Sequence, residues 1–165
     1  LIHSKLKYMK KLKNTRSIIV FSVLSALFLS SCKSSNDDED MQSENGNNYK
    51  ITVTLTNVNA SDDYVFVGAV GTGAGSKLDV WKVNNVVKVG ESSVSLGDTD
   101  FTGSTKTYVI ETTEKISNFS NNVQIINYGQ DMTISYKIEK DNAVKINENM
   151  TLTGAGANFT KDYSF

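Results

Sequence analysis

The chain has 165 residues, 39% of them apolar and 21% charged, and a formal net charge of −1. It holds one cysteine, one histidine and no proline. A lone cysteine excludes an internal disulfide, and a chain without a basic stripe excludes a surface built on nucleic-acid phosphates.

Leu1–Tyr8 reads as sequence upstream of a start at Met9. Met9 opens a basic stretch with Lys10, Lys11, Lys13 and Arg16, and an uncharged apolar run follows from Ser17 to Leu29. Ser30, Ser31 and Cys32 close it. A charged start, a short apolar run and small residues at a cleavage site define a secretory signal peptide. The run falls well short of the roughly 20 residues that span a bilayer.

Leu29-Ser30-Ser31-Cys32 resembles the lipobox of bacterial lipoproteins. The resemblance implies cleavage before Cys32, a diacylglyceryl group on its thiol, and attachment to a membrane. At about 0.8 kcal/mol per buried CH₂, two or more acyl chains anchor stably. Asp37-Asp38-Glu39-Asp40 follows soon after and is similar to the acidic export signal of Bacteroidetes-type surface lipoproteins, although here the acids begin five residues past Cys32. That likeness implies the outer membrane, facing the cell surface rather than the periplasm. Residues 32–48 then form an acidic, disordered tether, polar and without aromatics. Its rms reach is about 20–25 Å.

Cleavage changes the charge balance. Six of the 17 basic residues precede Cys32, leaving 11 Lys against 18 acids, a net −7. The only histidine, His3, and the only arginine, Arg16, also lie before Cys32. The processed chain therefore has no means of Ser-His-Asp or Cys-His catalysis and no histidine-based zinc site.

Tyr49–Phe165 is 117 residues, the size of one domain. Apolar residues alternate with period 2: Ile51, Val53 and Leu55, then Met132, Ile134, Tyr136 and Ile138, then Val144, Ile146, Met150 and Leu152. Glu148 interrupts the last stripe and points to a bulge or an edge strand. Tyr64–Val70 is apolar on both faces, as a central strand is. Shorter runs cover 78–83, 86–89, 93–96, 106–111 and 123–127, and Asp141-Asn142 marks a hairpin turn. The expectation is an all-β fold: one β-sandwich of about eight strands, immunoglobulin-like or a related Greek key.

Several residues invite a function. Asp98, Asp100 and Gly103 match the first, third and sixth positions of an EF-hand loop, and Asp62 and Asp63 in another loop would extend a calcium site. Turn chemistry alone also explains these aspartates. Trp81, Tyr108, Tyr128 and Phe119 are candidates for a glycan-stacking platform, against the simpler role of core aromatics. Gly71–Lys77 has a phosphate-loop flavour, but Ser76 and Leu78 stand where a P-loop needs Gly and Ser/Thr, so it reads as an inter-strand loop. The sequence points to a lipid-anchored protein with a non-enzymatic binding, adhesion or accessory role, needing no cofactor. Its partners are a membrane and an envelope protein or glycan, not nucleic acid. A glycan-binding accessory protein of a polysaccharide-uptake system is the first alternative, and a carboxylate-dependent hydrolase the second.

Overall fold

A computed structural model of the chain describes residues 46–165. The segment expected to be a signal peptide, Cys32 and most of the expected tether lie outside the described residues. Among the described residues, no helix is long and apolar enough to cross a membrane.

The fold is an all-β sandwich. Its strands are β1 (Tyr49–Val58), β2 (Tyr64–Gly73), β3 (Trp81–Val83), β4 (Val86–Val87), β5 (Ser93–Gly97), β6 (Gly103–Thr112), β7 (Ile116–Asn127), β8 (Met132–Lys140), β9 (Ala143–Leu152) and β10 (Ala157–Ser164). One sheet has six strands in the order β4-β3-β6-β1-β8-β9, and the other has four in the order β10-β7-β2-β5. Only β3–β4 and β8–β9 are chain neighbours that pair with each other. The other connections carry the chain from one sheet to the other, so most pairings join distant segments, as Greek-key sandwiches require.

Alternation explains the two faces. In β1, Ile51, Val53 and Leu55 are fully buried between the sheets. Their neighbours Thr54 and Thr56 face out and bond across the ladder to Thr107 at 2.8 Å and Thr105 at 3.0 Å. β2 lies between β7 and β5, as its two-sided apolar character implies. Val65, Val67 and Ala69 enter the core, while Tyr64, Phe66 and Val70 turn outward.

A polar link joins the two sheets within the core. The Tyr136 hydroxyl of β8 donates to Asn121 Oδ1 of β7 at 2.6 Å, and Asn121 Nδ2 donates to the Gly68 carbonyl of β2 at 2.7 Å. All three groups are paired, as buried polar groups must be.

The β8–β9 hairpin turns at Asp141 and Asn142, both at positive φ, the geometry of a type I′ turn. β9 is an edge strand, consistent with the polar Glu148 in its stripe. The ladder irregularity lies elsewhere, between Ile138 and Glu139.

Five expectations are corrected. Gly71–Gly73 belongs to β2 rather than to a loop, because small residues there make room for Trp81, Ile116 and Val80. Asp98–Phe101 forms one helical turn, α1, capped by its own aspartate. β7 starts seven residues earlier than expected, at Ile116, and β10 follows the Thr153–Gly156 loop as a further strand. The last tether residues are pinned rather than free: Asn47 exchanges two backbone hydrogen bonds with Ile116, both 3.0 Å, and Asn48 N–H donates to Asp141 Oδ1 at 2.9 Å.

Candidate functional site

The four aspartates proposed for calcium do not converge. Asp63 is buried and serves as a clamp. Its Oδ2 accepts from Asn59 N–H at 2.9 Å, and its Oδ1 accepts from Tyr128 N–H at 2.9 Å and Gly129 N–H at 3.1 Å. The β1–β2 loop is thereby tied to the β7–β8 loop. Asp100 caps α1 by accepting from Gly97 N–H at 2.8 Å, and Asp98 accepts from Thr99 N–H at 2.7 Å. These are the local bonds that make aspartate a turn and cap residue. Asp62 alone of the four lines the open cleft at this end of the sandwich, a space of about 530 Å³ bordered also by Asn57, Asn59, Ser104, Gly129 and Gln130. Among the described residues, no three or more His, Cys, Asp or Glu side chains gather closely enough to hold a metal.

A carboxylate pair occurs on the outer face of the six-stranded sheet. Lys50 of β1 is registered between Glu111 of β6 and Glu139 of β8. The two carboxylates stand about 10 Å apart at the backbone, two strand spacings. Glu111 receives Lys82 Nζ at 3.1 Å and Lys50 Nζ at 3.4 Å. Burial pushes the Glu111 carboxyl up, but the hydrogen bond and charge of Lys82, with the charge of Lys50, outweigh it and hold the group below the ordinary carboxylate range. Lys137 Nζ lies 3.1 Å from Glu139 Oε2, close enough for charge contact but not aligned as a hydrogen bond. A hydrolytic pair needs one carboxyl that keeps its proton near neutrality. With a lysine between the acids and Glu111 held ionised, this row is a chain of ion pairs.

The expected aromatic platform is corrected as well. Trp81 is fully buried and donates Nε1–H to the Ser92 carbonyl at 2.9 Å. Phe119 is buried with its ring stacked on Tyr49, centroids 4.1 Å apart. Tyr108 packs edge-on to the buried Phe101 at 5.0 Å and donates its hydroxyl to the Asp100 carbonyl at 3.3 Å. Only Tyr128 is open, with 54% of its surface exposed.

Two other aromatics lie on the outer face of the four-stranded sheet, and the sequence reading passed over both. Tyr64 is 45% exposed, and Phe66 lies two residues on along the same outer face of β2. The Phe66 ring reaches over Gly68 so closely that a Cβ there would sit 2.7 Å from its Cζ. Register sets Gln124 of β7 beside Phe66, and Asn122 of β7 beside Gly68. Asn122 Nδ2 donates to Asp162 Oδ1 of β10. The missed signal was parity: if Val65, Val67 and Ala69 face the core, Tyr64 and Phe66 cannot.

The Gly71–Lys77 segment holds no phosphate cradle. Only a single 3-10 turn, Ala74–Ser76, follows β2, and Lys77 Nζ pairs with Glu114 Oε2 at 2.9 Å.

No protein-family model matches the chain. No curated protein matches it either. Two solved structures share the fold. A DUF4425 family protein from Bacteroides ovatus ATCC 8483 superposes with a TM-score of 0.51 at 14% identity, covering 73% of this chain and 94% of that one. A protein from Parabacteroides distasonis, solved by NMR in its calcium-bound form, superposes with a TM-score of 0.55 at 13% identity, covering 77% of this chain and 99% of that one. At these identities the likeness is one of architecture, and it supports the all-β sandwich.

Proposed function

We propose that this protein is a lipid-anchored lipoprotein of the bacterial cell envelope whose sandwich domain binds a partner without catalysing a reaction. The observation that carries the binding reading is the way the domain spends its carboxylates. Asp63 and Asp100 accept backbone N–H groups, and Glu111 is neutralised by two lysines. Such groups hold loops and strands in place and are not poised for proton transfer. The anchor rests on Leu29-Ser30-Ser31-Cys32, and outward display rests on the acids at 37–40. The structural neighbours come from Bacteroides ovatus and Parabacteroides distasonis, in keeping with the resemblance of the acidic stretch. The test is metabolic labelling with a palmitate analogue in a lipoprotein-processing host. The wild-type chain should take the label and sediment with membranes, and Cys32→Ala should do neither. A label that survives the substitution overturns the anchor.

A second reading, calcium binding, is favoured by one observation: the Parabacteroides distasonis neighbour was solved with calcium bound. In this chain the place for it is the cleft at Asp62, where one carboxylate would be joined by amide, hydroxyl and carbonyl oxygens. Calcium takes such mixed oxygen sets. Melting with millimolar calcium and with chelator, at equal ionic strength, tests it: calcium should raise Tm in the wild type and not in Asp62→Asn.

A further inference from the structure

The outer faces of the two sheets differ in chemistry. The six-stranded sheet presents paired threonine hydroxyls and the ion-pair row of Lys82, Glu111 and Lys50. Across the four-stranded sheet, the outward rows run Tyr64–Ile126–Asn158, Phe66–Gln124–Thr160, Gly68–Asn122–Asp162 and Val70–Ser120–Ser164. Asp162 is the only charged residue in those rows, and Asn122 already engages it. In a chain with 21% charged residues, a sheet face this poor in charge offers little to an anionic lipid, a nucleic acid or a charged protein surface.

What the face does offer is flat rings beside primary amides. Tyr64 and Phe66 follow one another on β2, and the Phe66 ring lies along the strand over Gly68 instead of standing up from it. Tyr128 joins them at the same end, because its backbone N–H is held by Asp63, the residue before Tyr64. The side-chain amide of Gln124, beside Phe66, makes no hydrogen bond among the described residues, so it is left to donate and accept outward. A sugar ring has an apolar C–H face and a rim of neutral hydroxyls. Aromatic faces cover the first, and amides pair with the second. We infer that the outer face of the four-stranded sheet, around Tyr64, Phe66, Tyr128 and Gln124, binds an uncharged glycan.

This assignment rests on reading the domain as a binding module, and it names the ligand class and the face. The experiment is native gel electrophoresis of the full chain in mild detergent. The gels contain glycogen, mixed-linkage β-glucan or galactomannan as neutral probes, with alginate as the charged control. The expected result is retardation by at least one neutral probe and none by alginate. Tyr64→Ala and Phe66→Ala should weaken the binding about tenfold or more, as loss of an aromatic anchor does. Tyr64→Phe, which keeps the ring, should bind, and Thr54→Ala on the opposite sheet should behave as wild type. Melting curves identify any variant that has lost its fold; Tyr64→Phe and Thr54→Ala keep the comparison valid if an alanine variant fails. Absence of retardation by all three neutral probes overturns the assignment, as does retardation that Tyr64→Ala and Phe66→Ala leave unchanged. A dimer on gel filtration that Tyr64→Ala converts to monomer also overturns it, since the face would then be covered by a second copy. Glycan retention needs no acyl group. A Cys32→Ala chain that still binds therefore separates failure of the anchor from failure of the glycan face.

Discussion

Replacing Tyr136 by Phe removes one oxygen from the middle of the molecule. In the native structure that hydroxyl donates to Asn121 Oδ1 at 2.6 Å, and both side chains are buried. The phenylalanine leaves the ring packing intact, but the Asn121 oxygen loses its donor where water cannot replace it. A buried group stranded in this way costs about 1–3 kcal/mol. Taking about 2 kcal/mol, and about 4 °C per kcal/mol for a domain of this size, Tm should fall by about 8 °C. The same hydroxyl predicts an alkaline effect. Burial pushes its pKa well above the ordinary 10.0. The folded protein therefore keeps this proton where the unfolded chain has lost it. The resulting stabilisation is complete below pH 10 and declines as pH rises beyond it. Tyr163 is raised too, by burial and by the charge of Glu148, so Tyr136→Phe should flatten the alkaline limb only in part. Thermal melts followed by circular dichroism at pH 7 and across pH 9–11 provide both readouts. Wild-type Tm at pH 7 in the variant would refute the inter-sheet hydrogen bond, and an unchanged alkaline limb would refute the effect of burial. Combining Tyr136→Phe with Asn121→Leu should cost less than the sum of the single changes, because each already breaks the shared bond.

Asp63→Ala should cost about 2–4 kcal/mol, since it strands three backbone N–H groups at the junction of two loops, whereas Asp62→Asn in the absence of calcium should stay within about 0.5 kcal/mol in the same melts. Folding lowers the Glu111 pKa, so its ion pairs stabilise the protein fully above the unfolded value of 4.5 and lose that contribution as pH falls through the lower folded value; Glu111→Gln should make urea midpoints less dependent on pH below 4.5. Gly68→Ala should lift the Phe66 ring off β2, and tyrosine-to-phenylalanine cross-peaks or a change in Phe66 ring shifts in NMR would record it.

The fold was legible where the sequence is periodic. β1 and β8 alternate cleanly, and the two-sided run at Tyr64–Val70 located a central strand. β10 was missed because Ala157–Ser164 buries only Phe159 well and mixes polar residues on both faces, as an edge strand does. The early part of β7 was missed because Ser117, Asn118 and Ser120 look like loop, although Ile116 and Phe119 anchor it in the core. The candidate site was harder to see. Trp81 drew attention by its type, yet its burial depends on β2, β7 and the Ser92 carbonyl, all distant in sequence. The aspartates looked alike in the sequence, and only the loop pairing separates Asp63, which is spent on backbone amides, from Asp62, which faces the cleft.

The Asn47–Ile116 bridge gives the sandwich a near end and a far end. The N-terminal segment joins the domain where β1 begins and where Gly73 of β2 also meets Ile116. β1 then runs its 10 residues away from that point, about 30 Å, before the chain turns at Asp62 and Asp63 and sets out along β2 with Tyr64. Tyr64, Phe66, Tyr128 and the Asp62 cleft thus crown the pole opposite Asn47. Under the proposed lipid anchor, a large partner would reach this pole without meeting the membrane, and steric shielding would fall first on the Lys77–Glu114 pole instead.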